Sequence, residues 1–304
     1  MKRFIRCTTK YRIPFGILFI TLSAAYWFCL PDPLFQDPVC TVILDRKQNL
    51  LGARIANDGQ WRFPHQENVA AKFQTAIICF EDKRFESHPG VDALALVRAF
   101  NKNIHQNKIV SGGSTISMQV IRLARKGRPR TIAEKIIEII LATRLELRFS
   151  KKEILALYAA NAPFGGNVVG LEAAAWKYYG RSATQLSWAE TATLAVLPNS
   201  PAIIHPGRNR QLLQKKRDRL LNNLYTEGII DSTTCALSKT EQLPERPLSL
   251  PDKAPHLTET IRKSQPKNGS VSAVVVSTID IHTQEHVQHV IDRHYHQLKE
   301  NNIY

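Results

Sequence analysis

Apolar and polar positions along the chain change their period several times, and each change predicts a different element. Five basic residues (Lys2, Arg3, Arg6, Lys10, Arg12) precede an uncharged apolar run from Ile13 to Leu30. As a helix, that run spans roughly 27 Å at ~1.5 Å per residue, close to the hydrocarbon core of a bilayer. Tyr26 and Trp27 fall near its far end, where amphipathic rings sit at a membrane interface. The basic flank predicts that residues 1–12 are a cytoplasmic tail, 13–30 a single-pass anchor, and everything after Leu30 outside the cytoplasm. Bulky Tyr26, Trp27 and Phe28 make a poor small-residue cleavage site, which favours an uncleaved anchor over a signal peptide or a buried helix.

Beyond a Pro-rich spacer (PDPLFQDP), the segment TVILDRKQNLLGARI reads as strand, polar turn at Arg46–Asn49, strand, with a third strand near Trp61–Phe63. These fall in a β region at 39–66. From Glu67 to about Ile230, apolar residues recur at three- and four-residue steps, the period of helices, and 67–230 is assigned as one helical domain. Residues 231–271 read as a linker, its stretch Leu243–Pro255 too rich in proline for regular structure. In the last segment, 272–304, Ser272–Ile281 has the pattern of a buried strand and Gln284–Asn301 that of a helix. A strand so far from the helical body needs partners, and the 41–63 strands are the candidates. The predicted fold is therefore mainly α, with a small β-sheet formed by N-terminal and C-terminal strands around an inserted helical domain. No internal repeat is visible.

Composition narrows the function. The chain has 304 residues, 43% hydrophobic and 22% charged, which excludes a disordered or fibrous protein. Its 41 Lys and Arg against 26 Asp and Glu give a formal charge of +15, which calls for an anionic partner: nucleic acid, lipid headgroups or a phosphorylated substrate. Five cysteines with no C-x-x-C spacing exclude a zinc ribbon and a disulfide-dense scaffold. An oxidising exterior would permit a disulfide such as Cys40–Cys235, but nothing in the sequence specifies one.

Four segments carry candidate chemistry. EDKRFESHPGVD (Glu81–Asp92) places adjacent carboxylates at a helix exit with His88 and Asp92 nearby, either acid/base machinery or a solvated helix end. GGSTISMQV (Gly112–Val120) has two glycines before Ser114 and Thr115 at a helix start, which fits an anion cradle or a plain Ser/Thr cap. RTIAEKIIEIILATRLE (Arg130–Glu146) is apolar except for a narrow stripe of Glu134, Lys135, Glu138 and Glu146 within roughly 120° of arc. Such a stripe lines a cleft or pairs internally, for example Lys135 with Glu138 at i,i+3. The fourth, Lys151–Gly180, breaks at Pro163 and reads as scaffold, with Asn161 a candidate for orienting a cleft.

In order and spacing these blocks resemble the glycosyltransferase family 51 domain of class A penicillin-binding proteins, from about Val69 to Tyr225. EDxxFxxHxG together with GGSTxxxQ carries the likeness, and STISMQVIRLAR, NAPFGGNVVG and LAVLPNSP look closest to the 1C type. The resemblance implies a lysozyme-like helical domain with a membrane-embedded jaw. It implies polymerisation of lipid II into β-1,4 glycan strands, with inversion at the anomeric carbon and release of undecaprenyl diphosphate. The family's catalytic base falls on Glu81 and its second essential glutamate on Glu138. Family contacts to the lipid diphosphate fall on Arg98, Ser114, Arg122, Arg130 and Lys135, with Gln119 close by; Asp82, His88, Thr115 and Asn161 complete the expected substrate-binding set.

Inversion needs one base and no covalent intermediate, and the leaving diphosphate needs neutralising by Arg98, Arg122, Arg130 and Lys135. Glu138 is expected to position Lys135 or an acceptor group, or to hold a divalent cation, Mg or Mn, brought with the diphosphate; no cofactor is obligatory. Most of the family has Arg where Glu134 stands. Two carboxylates at i,i+4 are expected to disfavour joint ionisation and to weaken the local positive field. Ala156 replaces a usual glutamate, a minor packing change.

The expected partners are lipid II, the growing glycan, an anionic membrane and other wall-synthesis proteins, at the bacterial inner membrane with the catalytic domain periplasmic. Nucleic acid is not expected, since no basic stripe interleaved with aromatics appears. Class A proteins continue into a transpeptidase domain, whereas this sequence stops just past a linker-like strand at Val274–Asp280. Its one S-x-x-K match, Ser264–Lys267, has no K-T-G after it, so penicillin binding is not expected. The alternatives are a lytic transglycosylase or other glycoside hydrolase, an inactive membrane-anchored scaffold, and a non-enzymatic binder of anionic lipid.

Overall fold

The computed structural model describes residues 16–106, 113–126, 128–129, 131–199, 204, 206–264 and 274–300. In chain order the elements are α1 (residues 16–28), β1 (Thr41–Leu44), β2 (Leu50–Arg54), β3 (Trp61–Arg62) and α2 (Ala71–Glu81). Then follow α3 (Ala93–Gln106), α4 (Ile116–Ala124), α5 (Ile132–Glu146) and α6 (Lys151–Asn161). A small hairpin, β4 (Pro163–Gly165) and β5 (Val168–Val169), leads to α7 (Leu171–Tyr179) and α8 (Trp188–Val196). The chain ends in α9 (Arg210–Thr226), α10 (Ser232–Thr240), α11 (Pro255–Ser264), β6 (Val274–Val276) and α12 (Ile281–Glu300). The molecule is mainly helical with small sheets, and it divides into two compact units: residues 1–36 with 81–154, and 37–80 with 155–304.

In the first unit, α4 and α5 form the frame. Thr115 caps α4 by accepting from the Met118 N–H, and Thr131 caps α5 by accepting from the Glu134 N–H, each serving an N–H the helix itself leaves open. Ile116, Met118, Val120 and Ile121 of α4 and Leu141, Ala142 and Leu145 of α5 are buried. The end of α1 seats on α5. Tyr26 Oη lies 3.1 Å from Thr143 Oγ1, Arg144 Nε donates to the Trp27 carbonyl at 3.0 Å, and the Arg144 guanidinium stacks over the Trp27 ring at 4.4 Å. Elsewhere this unit turns apolar side chains outward: Ile132, Ile136 and Ile140 of α5, Leu94 and Val97 of α3, and most of α1 are exposed. Among the described residues no helix is long and apolar enough to cross a membrane; α1 is described from residue 16 only, and the first part of the expected anchor lies outside the described residues.

The second unit contains a three-stranded sheet in the order β2-β1-β6. β1 pairs antiparallel with β2, and parallel with β6 through Val42–Val274, Ile43–Val275 and Leu44–Val276. Asp45 closes the β1–β2 turn by accepting from the Lys47 and Asn49 N–H groups at 2.7 and 2.8 Å. N-terminal and C-terminal strands thus do share one sheet. β6 is an edge strand with Val274 and Val276 exposed, however, rather than the buried strand its valine run suggests.

Trp61–Arg62 does not extend that sheet. β3 pairs with β5 in a second sheet, order β3-β5-β4. Two residues are too few to specify a partner by alternation, and the Asn167 carbonyl accepts from the Trp61 N–H at 2.7 Å to fix the pairing. The segment 231–271, read as linker, contains two helices. Asp231 caps α10 by accepting from the Thr234 N–H at 2.6 Å, and Pro255 opens α11 at the one helical turn where a missing N–H costs nothing. Cys40 and Cys235 are buried free thiols; burial pushes the Cys40 thiol up to about 11.

The apolar centre of this unit is α7 and α8. Ala173, Ala174, Ala175, Ala192 and Ala195 are fully buried, and small side chains let these backbones approach closely. Gly170 precedes α7 with φ +88°, and a Cβ there would meet the Ala160 carbonyl oxygen at 2.7 Å. A capping box of Ser187 and Glu190 starts α8.

Candidate active site

All of the expected site residues that the structure describes, Asn161 excepted, belong to the first unit. Glu81 is the last residue of α2, half-buried, and its Oε2 accepts from Gln119 Nε2 at 2.8 Å. Arg122, one turn after Gln119 on α4, donates from Nε and Nη2 to the two oxygens of Glu138 at 2.8 and 2.7 Å. This is the forked geometry in which a guanidinium binds a carboxylate best. Arg122 Nη2 also reaches Ser114 Oγ at 3.3 Å. The Glu138 hydrogen bond, and then the charges of Glu138 and Glu81, outweigh desolvation and raise the Arg122 pKa still further. Glu81–Gln119 and Ser114–Arg122–Glu138 therefore form a polar strip of two hydrogen-bonded groups, whose α4 members Gln119 and Arg122 lie one helical turn apart.

Glu138 pairs with Arg122 and not with Lys135, the partner its i,i+3 spacing suggests. Lys135 is half-buried and Arg98 exposed, and among the described residues neither shows an ion pair. Arg130 and Gly112 lie outside the described residues. The expectation for Glu134 is also corrected. Glu134 is gripped by Arg125 through Nε and Nη2, so α4 and α5 are joined by two parallel rungs, Arg122–Glu138 and Arg125–Glu134. Each carboxylate has its own guanidinium, and the Arg125 hydrogen bond pulls the Glu134 carboxyl below its ordinary range.

Asp82, His88 and Thr115 are buried and turned toward one another. His88 Nε2 lies 3.1 and 3.0 Å from the two Asp82 oxygens, while His88 Nδ1 accepts from the Gly90 N–H at 3.2 Å. That arrangement selects the tautomer with hydrogen on Nε2. Asp82 Oδ2 also accepts from the Ile116 N–H at the start of α4, at 3.0 Å. Thr115 Oγ1 donates to the Gly90 carbonyl at 2.6 Å while capping α4. The Ile116 N–H at the start of the cradle read from GGST is thus taken by the protein's own Asp82, and these three residues clasp the first motif to the second. Asn161 spends its amide on the Leu157 carbonyl of its own helix, at 2.9 Å.

Three supports escaped the sequence reading. Arg84 forks onto Asp92, and this pairing, with the Ala95 N–H, overcomes burial to hold the Asp92 carboxyl below its usual range. Lys151 Nζ bridges the His88 carbonyl and Glu146 at 2.7 and 2.8 Å and lies over the Phe85 ring at 4.5 Å, pinning the turn Phe85–Ser87. Gly90, with φ +91°, passes so close to α5 that a Cβ would sit 2.5 Å from the Ala142 carbonyl oxygen. A signal for the double rung was present: arginines at i,i+3 on one helix and glutamates at i,i+4 on the next.

Both Glu138 oxygens are engaged by Arg122, and among the described residues no three His, Cys, Asp or Glu side chains converge.

Comparison with known proteins gives the family. The transglycosylase family model matches residues 48–225. Penicillin-binding protein 1C of Escherichia coli (strain K12) is 35% identical over 226 residues, covering 74% of this chain and 29% of that protein. Penicillin-binding protein 1A of Aquifex aeolicus (strain VF5) is 34% identical over 205 residues, 66% of this chain and 28% of that one. The chain thus spans less than a third of the length of these relatives. The crystal structure of penicillin-binding protein 1A from Haemophilus influenzae aligns at 18% identity over 81% of this chain and 27% of that one, with a TM-score of 0.40, too loose a match to add support.

Proposed function

The chain belongs to the transglycosylase family, and from that premise we propose that it is a peptidoglycan glycosyltransferase that polymerises lipid II with inversion and release of undecaprenyl diphosphate. The observation that carries this reading is the strip Glu81–Gln119–Arg122–Glu138, in which Gln119, the partner of the Glu81 carboxylate, and Arg122, buttressed by Glu138, stand one helical turn apart on α4.

Glu81 is the base. The Gln119 amide presents an N–H to Glu81 Oε2, which suits a carboxylate that accepts, and restricts its rotation before the acceptor hydroxyl arrives. As the sugar 4-hydroxyl attacks the anomeric carbon, its proton passes to Glu81 and the C–O bond to the diphosphate breaks. Arg122, held by Glu138 and Ser114, meets the charge that develops on the leaving diphosphate, with Arg98, Arg130 and Lys135 as further cations. A positioned donor of this kind acts most strongly where water is excluded. Glu138 is then a positioning residue for Arg122. No step requires a resident metal.

The membrane part of the reading rests on the outward-facing isoleucines of α5, the exposed apolar residues of α3 and α1, and the interfacial Tyr26 and Trp27. We place the chain at the inner membrane with its catalytic unit outside the cytoplasm, where lipid II and the growing glycan meet. A lytic transglycosylase needs a protonated acid and no cationic diphosphate site, and the forked Arg122 argues against it.

The test is polymerisation of fluorescent lipid II by the full chain. Chains should form with wild type, stop with the family's donor-site inhibitor moenomycin, and fall by about 10²–10⁴-fold in Glu81→Gln. Near-normal chain lengths from that variant would remove Glu81 as base, and solubilised fragments from purified wall would convert the reading to a hydrolase.

A further inference from the structure

Half of the chain's ten histidines fall in one helix that the proposed chemistry does not use. α12, in the second unit, carries His282, His286, His289, His294 and His296, and none of its residues is buried. Its ties to that unit sit at its start. Lys253 pairs with Glu285 at 3.1 Å, Gln284 Nε2 donates to the Lys253 carbonyl at 3.1 Å, and Asp280 caps the helix by accepting from the His282 and Thr283 N–H groups. Most helical stability in proteins comes from packing one face against a neighbour, and α12 buries no residue in that way.

At about 100° per residue, His282, His286 and His289 lie within an arc of about 60°. Val287, Ile291, Tyr295 and Leu298 lie on the opposite side, so these histidines are no part of the helix's apolar stripe. Residues four apart on a helix carry Cβ atoms roughly 5–6 Å apart. Two imidazoles so spaced can turn onto one ion, each placing a nitrogen at ~2.0–2.1 Å from it. All of the helix's histidines are exposed, and among the described residues neither the His282 nor the His286 ring is spent on a hydrogen bond or ion pair. Of the available pairs, His282 with His286 has the i,i+4 spacing and lies further from Arg293, which shares the histidine side one turn beyond His289.

The charges at the start of the helix do not themselves attract a cation, since Arg46, Lys47 and Lys253 stand against Asp280 and Glu285. Exposed charges of this kind act weakly. Binding there must come from coordination to nitrogen, which selects late transition metals over hard ions such as Mg or Ca.

We propose that His282 and His286 form a two-histidine chelate for a divalent late transition-metal ion, Cu(II) binding most tightly and Zn(II) less so. Because no three ligating side chains converge among the described residues, water fills the remaining coordination positions. An ion held across one turn binds α12 only as a helix, and so holds closed the turns that packing leaves uncovered.

The test uses the full chain in detergent micelles, carrying Cys7→Ser and Cys29→Ser so that thiols do not compete. It is titrated with Cu(II) and read by electron paramagnetic resonance and by amide hydrogen exchange. Expected are one ion per chain with two imidazole nitrogens in its hyperfine pattern, and slower exchange over 282–290. His282→Gln and His286→Gln, exposed positions where glutamine keeps the helix, should each weaken binding by at least about tenfold, the low end of what losing even an outer partner costs a metal site. His294→Gln, about 120° round the helix from His282, should leave binding unchanged. Binding that survives both single variants, a one-nitrogen spectrum, or an equal loss in His294→Gln overturns the proposal. Two-nitrogen binding that leaves exchange unchanged overturns the clamp. Polymerisation plays no part in the readout, so the result stands apart from the function proposed above.

Discussion

Two helix pairs in this protein solve the packing problem in opposite ways. In the first unit, α4 and α5 are joined by two arginine–glutamate rungs, with Glu138 buried and several isoleucines turned outward. In the second, α7 and α8 bury alanine, leucine, valine, threonine and Tyr178, and their charged groups sit in the first and last turns, Glu190 buried in its capping box. Hydrophobic burial suffices to hold α7 and α8 together. The α4–α5 pair leaves several isoleucines outside and keeps two arginine–glutamate pairs beside its apolar core, the arrangement expected if the proposed membrane covers the outside and the proposed chemistry uses the inside.

The contrast is sharpest at Arg122. After Glu81→Gln, the largest expected effect is that of Arg122→Met, which strands the buried Glu138 carboxylate. We expect a loss of about 2–3 kcal/mol, below the ~3–5 kcal/mol of a fully buried pair because Arg122 is partly exposed, and readable by urea denaturation. The double variant Arg122→Met with Glu138→Leu should recover most of that stability and none of the polymerisation. If the single variant is as stable as wild type, the rung is not structural, and the contrast with α7–α8 fails.

Next in size is a pair of opposite pH slopes. Glu172, on α7, is half-buried, and no cation stands among the groups that shift it. Desolvation pushes its carboxyl up despite hydrogen bonds from the Ala183 N–H and Trp176 Nε1, both at 3.1 Å. The folded state therefore keeps that proton longer than the unfolded chain does. Its stabilising contribution is whole below the unfolded glutamate range and declines as pH rises through the raised folded value. Asp92, in the first unit, behaves oppositely. Burial resists its ionisation, the Arg84 pairing prevails, and its contribution is present above the unfolded aspartate range and lost as pH falls through the depressed folded value. Denaturant titrations across that range should show Glu172→Gln flattening the decline toward neutral pH and Asp92→Asn flattening the acid limb. The same limb altered by both variants would refute the distinction.

The smallest expected effect is that of Glu134→Gln. Stability should hardly move, because the Glu134 carboxylate is only half-buried where Glu138 is buried. Release of Arg125 should make polymerisation more sensitive to added salt, measured as the slope of rate against ionic strength. An unchanged slope would mean that Arg125 plays no part in the local field.

Much of this was legible in the sequence, for physical reasons that can be named. Glu81 at a helix exit follows from an apolar helix that stops before Pro-Gly, and Gln119 and Arg122 lie one turn apart on any helix begun at Thr115. The sheet from both ends followed because Val274–Val276 had few strands to join. What stayed hidden depended on long-range choices. Trp61–Arg62 is too short to declare its partner, and Glu138 had a cation at i−3 in sequence but took one from a neighbouring helix in space. Asp82 and Thr115 have the chemistry of a ligand site, and only the fold reveals that Asp82 accepts from the Ile116 N–H while Thr115 donates to the Gly90 carbonyl. The exposed β6 reads as core because a valine run looks the same on an edge as in a centre.

The junction of α1 with α5 has a consequence of its own. Tyr26 and Trp27 grip Thr143 and Arg144, five and six positions beyond Glu138, so the grip and Glu138 lie roughly 7–9 Å apart along one rigid rod. Under the proposed anchorage, the tether thereby sets the elevation of the proposed reacting groups above the bilayer. One residue inserted within α1 ahead of Tyr26 would leave the grip intact yet swivel the tether's upstream half by about 100° and raise the whole rod by about 1.5 Å.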